Sequence, residues 1–310
     1  MDVLSDAVVA MRTGRPHSGW VRRQAPFGTR FPAFDGAGFH VVLRGSCWLL
    51  PGDGAPVALG TGDVVLLPRG TGHGLADSLS TRLVDAPPSP AAADGRTNDR
   101  MPTGHDMAVG VTHMLCGAYL LDRFRPHPLL GELPEVVHLP ARVGRHTGLR
   151  AAVDLLDEEL ENARPGADAM MPALLDVLLL HILRTWLDDR REHTRTGWSA
   201  ALRDPAVAAA LRAIHDAPGH PWTVQKLGAR AGLSRAAIAR RFTGLVGQPP
   251  LTYLAWWRMT LAARLLRDGD TPVAAIARRV GYASESAFAH AFKRAVGVAP
   301  GAFRRSAPGR

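Results

Sequence analysis

Residues 223–243 and 273–292 repeat one pattern about 50 positions apart, and this repeat limits the fold more than any other feature of the chain. In the first copy Thr223 can cap a helix, Gly232 can take the left-handed turn conformation, and Ser234 can cap a second helix. That second helix turns Ile238 and Phe242 inward at i, i+4 and leaves Ala236, Ala239 and Arg240 outward. The second copy has Val273, Ile276, Ala277 and Val280 on its first helix, Gly281 at the turn, Ser284 as cap, and Phe288 and Phe292 inward. Each copy is a helix-turn-helix. Residues 251–266 between them predict a helix that packs through Leu254, Met259, Ala262, Ala263 and Leu266. Its 16 residues span roughly 24 Å at ~1.5 Å each, enough to hold two reading helices about one duplex turn, ~34 Å, apart.

Charge is divided in the same way. Residues 200–310 carry 17 Lys and Arg against 5 Asp and Glu, a net +12, whereas residues 1–199 carry 20 against 23, a net −3. A polyanion partner for the basic third follows, because neutralised phosphates release counterions. A hydrophobic fraction of 46% excludes a disordered chain, and 310 residues suit two domains better than one core. Two cysteines, Cys47 and Cys116, exclude a disulfide framework and a four-cysteine zinc site.

The front of the chain reads differently. From Trp20 to about His138, short apolar runs at 39–43, 47–50, 63–67, 109–116 and 136–139 alternate with Gly, Pro and Asp, which predicts an all-β sandwich or barrel. Residues 87–104, rich in Pro, Ala, Gly and Asp, predict a long loop. After Pro140 the period becomes helical. Leu149, Val153, Leu156 and Leu160 recur on one face, and a second helix over 168–187 is apolar on nearly all sides. That helix is either a subunit interface or part of a helix pair packed on the barrel. Its Asp168, Pro172, Asp176, His181 and Arg184 speak against a membrane span, and no signal peptide is visible, so a cytoplasmic location is expected. The charged stretch 188–196 reads as a linker. The expected organisation is a sensor domain over 1–145, a helical dimerisation and linker segment over 146–198, and an all-α double helix-turn-helix domain over 199–310.

Residues 204–305 resemble the DNA-binding domain of the AraC/XylS family, above all through Ile276-Ala277-Arg278-Arg279-Val280-Gly281-Tyr282-Ala283-Ser284-Glu285-Ser286-Ala287-Phe288-Ala289-His290-Ala291-Phe292-Lys293-Arg294 and Gly297-Val298-Ala299-Pro300. The resemblance implies base-facing positions Arg235, Ala236, Ala239 and Arg240 in the first reading helix and Glu285, Ser286, Ala289 and His290 in the second. Arg240 can fork onto a guanine, or contact phosphate instead; Arg278 and Lys293 are expected on the backbone.

Gly62-Asp63-Val64-Val65-Leu66-Leu67-Pro68-Arg69-Gly70-Thr71-Gly72-His73 resembles the second cupin motif, G-x5-P-x-G-x2-H, which implies a cupin barrel with His73 aimed inward. The first cupin motif is absent; only His40 lies near its place. Two histidines fall short of the three protein ligands usual for a catalytic metal, and Cys47 or Cys116 would have to complete a site for zinc or another divalent metal. His40, Cys47 and His73 are therefore the candidates for an effector pocket or metal, and Cys116 and Cys47 for redox chemistry. A metal-free barrel histidine and small buried thiols are the other readings of the same residues. A cupin before an AraC-type domain, with Leu115-Cys116-Gly117, is similar to the branch that includes reactive-chlorine-responsive regulators, although the cysteine expected near the first strand is missing from residues 20–28. The resemblance implies a homodimeric regulator that binds promoter DNA, answers a small molecule or oxidant, meets RNA polymerase and is no enzyme. Two alternatives are a metal-dependent cupin enzyme fused to a DNA-binding domain, and a helical module for protein contacts.

Overall fold

The structure is a computed structural model that describes residues 2–86, 110–121, 127–142, 144–162, 164–189 and 196–306. The expected loop at 87–104 and most of the expected linker at 188–196 lie outside these residues. The chain forms two compact units. One, here the sheet unit, is Gly14–Leu121 with Leu133–Asp189; the other, the helical unit, is Met1–Thr13 with Asp122–Glu132 and Arg190–Arg310.

Among the described residues ten strands build the sheet unit: β1 (His17–Gln24), β2 (Gly28–Phe31), β3 (Ala37–Arg44), β4 (Ser46–Pro51), β5 (Val57–Gly60), β6 (Val64–Leu67), β7 (His73–Ala76), β8 (Val84–Asp85), β9 (Val111–Tyr119) and β10 (Val137–Leu139). They form two five-stranded sheets, ordered β1-β9-β3-β6-β10 and β5-β4-β7-β2-β8. Strand alternation gives β3 two different faces. Val42 points into a core with Cys47, Leu49, Leu59, Val65, Leu67, Leu75 and Met114. Phe39 and Val41 point the other way and are also fully buried, which explains why this strand reads as an unbroken apolar run. Gly70, in the motif before His73, holds φ +57, and a Cβ there would strike the Phe34 carbonyl, so the turn that aims β7 requires glycine.

Two helices complete this unit, α3 (Thr147–Asn162) and α4 (Ala167–Asp189). Leu175, Leu178, Leu179, Ile182 and Leu183 of α4 are buried, while Met170 and Val177 are exposed, so α4 is not apolar all round. Tyr119 on β9 donates a buried hydrogen bond of 2.8 Å to the Leu175 carbonyl, which ties α4 to the sheet. This is the packed helix pair weighed from the sequence. Length and composition alone would let α4 cross a membrane, contrary to the expectation from its polar residues; its leucines are packed on α3 and the sheet instead.

The helical unit contains α1 (Val3–Met11), α2 (Pro128–Glu132), α5 (Gly197–Arg203), α6 (Pro205–Asp216), α7 (Val224–Arg230), α8 (Arg235–Val246), α9 (Pro250–Asp268), α10 (Val273–Arg279), α11 (Glu285–Val296) and α12 (Pro300–Ser306). Residues 2–13 and 127–132 therefore group with the C-terminal third and not with the expected sensor domain. The cause is burial: α1 inserts Val3, Leu4, Ala7, Val8 and Met11 into the unit, against α6 and α9. Glu132 of α2 accepts the Trp198 backbone N–H at 2.9 Å through both carboxylate oxygens. Residues 146–189, expected as a separate segment, are integral to the sheet unit.

Because α1 completes the helical core, Leu4→Ala should destabilise that unit by about 2–5 kcal/mol. A fragment of residues 196–306, which lacks α1 and α2, should unfold at lower urea than the same helices in the full chain. Urea titration followed by far-UV circular dichroism and tryptophan fluorescence measures both.

Candidate functional site

Both helix-turn-helix motifs form with their expected caps. Thr223 accepts the Lys226 N–H at 3.1 Å, Ser234 the Ala237 N–H at 3.2 Å and Ser284 the Ala287 N–H at 3.1 Å. Gly232 and Gly281 hold φ +67 and +82 at the two turns. At Gly281 the requirement is double, since a Cβ would also press on the Gly219 carbonyl and on the Arg258 guanidinium. Arg258 in turn donates to the Pro218 and His220 carbonyls at 2.7 and 2.9 Å, so one side chain of α9 braces the loop before α7 beside the second turn.

Behind each second helix large apolar residues close the core: Ile238 and Phe242 of α8, and Phe288 and Phe292 of α11, are fully buried. On the opposite faces Arg235, Ala236 and Arg240 are exposed and Ala239 is half-buried; Glu285, Ser286 and His290 are exposed and Ala289 is half-buried. Arg278 and Lys293 are also exposed. Arg241, next to Arg240, is engaged within the unit, paired with Asp204. Asp204 also caps α6 through Ala206 and Val207 at 3.1 and 2.9 Å. The helix it opens escaped the sequence reading, although an Asp-Pro pair at a helix start is a readable signal.

A buried polar network marks the same unit. His215 of α6 donates from Nδ1 to Asp6 of α1 at 3.3 Å and accepts at Nε2 from the Tyr253 hydroxyl at 2.8 Å, with its ring stacked on Trp257 at 3.9 Å. Burial lowers its pKa although Asp6 pulls the other way. His127, between Trp198 and Trp256, is fully buried, and burial brings its pKa down to about 3.

In the sheet unit the two candidate histidines meet. His40 on β3 and His73 on β7 bring their Nε2 atoms to 2.7 Å, with Phe31 stacked on His73 at 5.1 Å between centroids. His73 donates from Nδ1 to the Thr71 carbonyl at 2.9 Å, so its Nε2 is the acceptor and His40 the donor in a neutral pair. That leaves His40 Nδ1 buried with no partner. Burial holds both imidazoles below their ordinary pKa, His40 further than His73.

Cys47 does not join them. It lies on β4, in the other sheet from His40, and its thiol packs in the apolar core 3.7 Å from the Met114 sulfur. The irregularity in β3 falls between Val42 and Arg44, and Gly45 with φ +82 serves as the turn between the two strands. Cys116 pairs in register with His40 across β3 and β9. Burial pushes both thiols up to about 12, Asp63 adding to the effect at Cys47 and Cys47 at Cys116. A thiol raised in this way carries little thiolate near neutral pH, although Arg23 pulls Cys116 the other way, and the redox reading of Cys116 and Cys47 stays a proposal. Among the described residues no group of three or more His, Cys, Asp or Glu is gathered for an ion, so the metal reading of His40, Cys47 and His73 rests on two imidazoles bonded to each other.

Comparison with known proteins gives two family matches, the first of which also spans α1 and α2. Residues 2–188 match the cupin family and residues 227–306 a helix-turn-helix domain family. An AraC-like transcription regulator of Streptomyces antibioticus is 37% identical over 98% of this chain and 99% of its own. The chain belongs to the AraC-like transcription regulators. Among its relatives, the HTH-type transcriptional regulator AlkR of Acinetobacter baylyi is 30% identical over 98% of this chain and 99% of its own. The RCS-specific HTH-type transcriptional activator RclR of Escherichia coli is 30% identical over 86% of this chain and 83% of its own. Of solved structures, the AdpA DNA-binding domain in complex with a target DNA is 35% identical over 33% of this chain and 92% of its own, with a TM-score of 0.31.

The buried imidazoles set the acid response of this regulator. His40, His73, His127 and His215 are held neutral, so below ~6.5 the unfolded chain binds protons that the folded chain refuses. Stability should be full above about pH 7 and fall as the pH drops through 6 to 5. His127→Asn, which keeps an acceptor for the Leu129 N–H, should flatten part of that slope. Melting temperatures at pH 5–8 test it.

Proposed function

We propose that α8 and α11 are the reading helices of a promoter-binding regulator whose cupin domain answers an effector. The observation that carries this is the pair of capped helix-turn-helices, each with an aromatic core behind and polar groups exposed in front, on a segment of net +12. Arg240, exposed and without an ion pair among the described residues, is the base-reading candidate, as Arg can fork onto guanine O6 and N7. Arg235, Glu285, Ser286 and His290 supply further polar contacts, and Ala236 and Ala239 offer only apolar contact with thymine methyl groups. Arg278 and Lys293 are assigned to phosphates.

In this reading the protein works on promoter DNA in the cytoplasm, as a homodimer, with RNA polymerase as a further partner. Leu155 of α3 and Met170 and Val177 of α4 are the exposed apolar residues available for self-association. The His40–His73 pair belongs to the sensor, and its donor set speaks against a metal-dependent enzyme.

Binding of the full chain to DNA from beside its own gene should weaken steeply as salt rises, since several Arg and Lys each displace counterion. Arg240→Ala should cost on the order of 1–3 kcal/mol and relax the preference at one base pair. Gel shifts over a salt series and a library of operator variants measure both. Equal weakening on every sequence would move Arg240 to a phosphate, and a flat salt response would remove the DNA-reading assignment.

A further inference from the structure

The loop that opens the first helix-turn-helix lies directly against the second one. Residues 217–222 join α6 to α7, and the His220 N–H and the Trp222 indole N–H both close on the Ala217 carbonyl, at 3.0 and 2.9 Å. In the middle of this loop, a Cβ on Gly219 would stand 2.8 Å from the carbonyl oxygen of Arg279, the last residue of α10. Gly219 holds no left-handed backbone, so the close approach alone demands glycine there. The approach is mutual, since a Cβ on Gly281 would stand 2.8 Å from the Gly219 carbonyl oxygen. Arg258 of α9 clamps the pair: its two hydrogen bonds go to the Pro218 and His220 carbonyls, one on each side of Gly219.

Both sides of this contact are stiff. Behind the loop, α7 is packed so closely on the turn into α8 that a Cβ on Gly228 would meet the Leu233 carbonyl oxygen at 2.7 Å. Behind Gly281, the Tyr282 ring packs on Phe288 of α11 at 5.7 Å between centroids. A shift of the loop against the second turn would therefore carry one reading helix relative to the other. Helix α9 by itself is one connection between the halves, and a helix of 19 residues can still bend. The contact of Gly219 with Gly281 is a second connection, and together with α9 it closes a ring. Duplex DNA turns once in about 10 base pairs and ~34 Å, so one inserted base pair displaces a half-site by about 3.4 Å and turns it by about 34°. A closed ring resists following that change, whereas an opened one follows it by bending α9.

We propose that the contact of Gly219 with Gly281, clamped by Arg258, determines which spacing between two half-sites the protein accepts. The proposal rests on α8 and α11 as the DNA-reading helices and gives that reading a specificity element. Arg258 is a positioning residue in it, acting through two backbone carbonyls and not on a base.

The test starts with selection of random duplexes by the full chain, with sequencing to read the distance between the two enriched blocks. Gel shifts then compare the selected spacing with one base pair added or removed. The parent should enrich one spacing and bind either neighbour at least about tenfold more weakly. Arg258→Gln should bind all three within about threefold of one another, and Arg258→Lys should retain part of the discrimination. Arg264→Gln, which removes a surface ion pair on the same helix, should match the parent. Gly219→Ala drives a methyl group against a backbone oxygen and should displace or broaden the preferred spacing; it carries the test should Arg258→Gln fail to fold. A uniform loss of affinity at every spacing in Arg258→Gln would make Arg258 a phosphate contact and overturn the proposal. Parent-like selectivity in either Arg258→Gln or Gly219→Ala would overturn it too, with the DNA-reading assignment left standing. Enrichment of a single block, or of none, by the parent would overturn the two-helix reading itself and the proposal with it.

Discussion

Helix α9 is held at both ends, and the rest of the helical unit depends on that. Its first half places Tyr253, Leu254 and Trp257 among buried residues that include Phe242 of α8, whose ring lies 5.9 Å from Tyr253. Its second half gives Met259, Ala262, Ala263 and Leu266 to the core of Ile276, Val280, Phe288 and Phe292. The 19 residues rise about 28 Å as one helix. Rotating one reading helix relative to the other would require breaking a core or twisting α9, and close-packed interiors resist both. Arg258, midway along, adds a hydrogen-bonded brace to the loop before α7. The exposed faces of α8 and α11 are thus presented as a fixed pair, which is what a two-site reader of one duplex needs.

In the sheet unit strand alternation does the corresponding work. On β3 it sends His40 and Val42 into the space between the sheets and Phe39 and Val41 toward the outer face, and on β9 it sends Met114 and Cys116 inward with them. The neutral His40–His73 pair is a polar contact across that largely apolar interior, and it is satisfied only in part, because His40 Nδ1 has no partner. Low local dielectric makes such a pair sensitive to any proton or donor that reaches it.

Much of this was legible before the structure. Thr223, Gly232, Ser234, Gly281 and Ser284 act over three to five residues, and local rules found every one of them. The β-rich front, the helical change after Pro140 and the inward His73 followed from periodicity and from one motif. What escaped depends on contacts distant in sequence. Nothing local in residues 3–11 says that Asp6 will reach His215, 209 positions away. The leucines of α4 predicted burial but could not say that α3 and the sheet would provide it. Cys47 was grouped with His40 because their strands are neighbours in sequence; the thiol instead settles beside the Met114 sulfur in the apolar core.

The path of the chain changes what the two units can do independently. With a single linker, the helical unit would need only to be tethered. Here the chain passes between the units after Thr13, after Leu121, after Glu132 and after Asp189. Two of those passages are the ends of the segment that leaves the sheet unit after β9 and returns before β10, and a third directly precedes β1. The strand carrying Cys116 is therefore covalently continuous with pieces that complete the core around Trp198, His215 and Tyr253. A ligand that binds the sheet unit can shift DNA affinity only through a differential affinity for two arrangements of the chain. A fragment that begins at residue 196 removes α1 and α2 from the core they help to close.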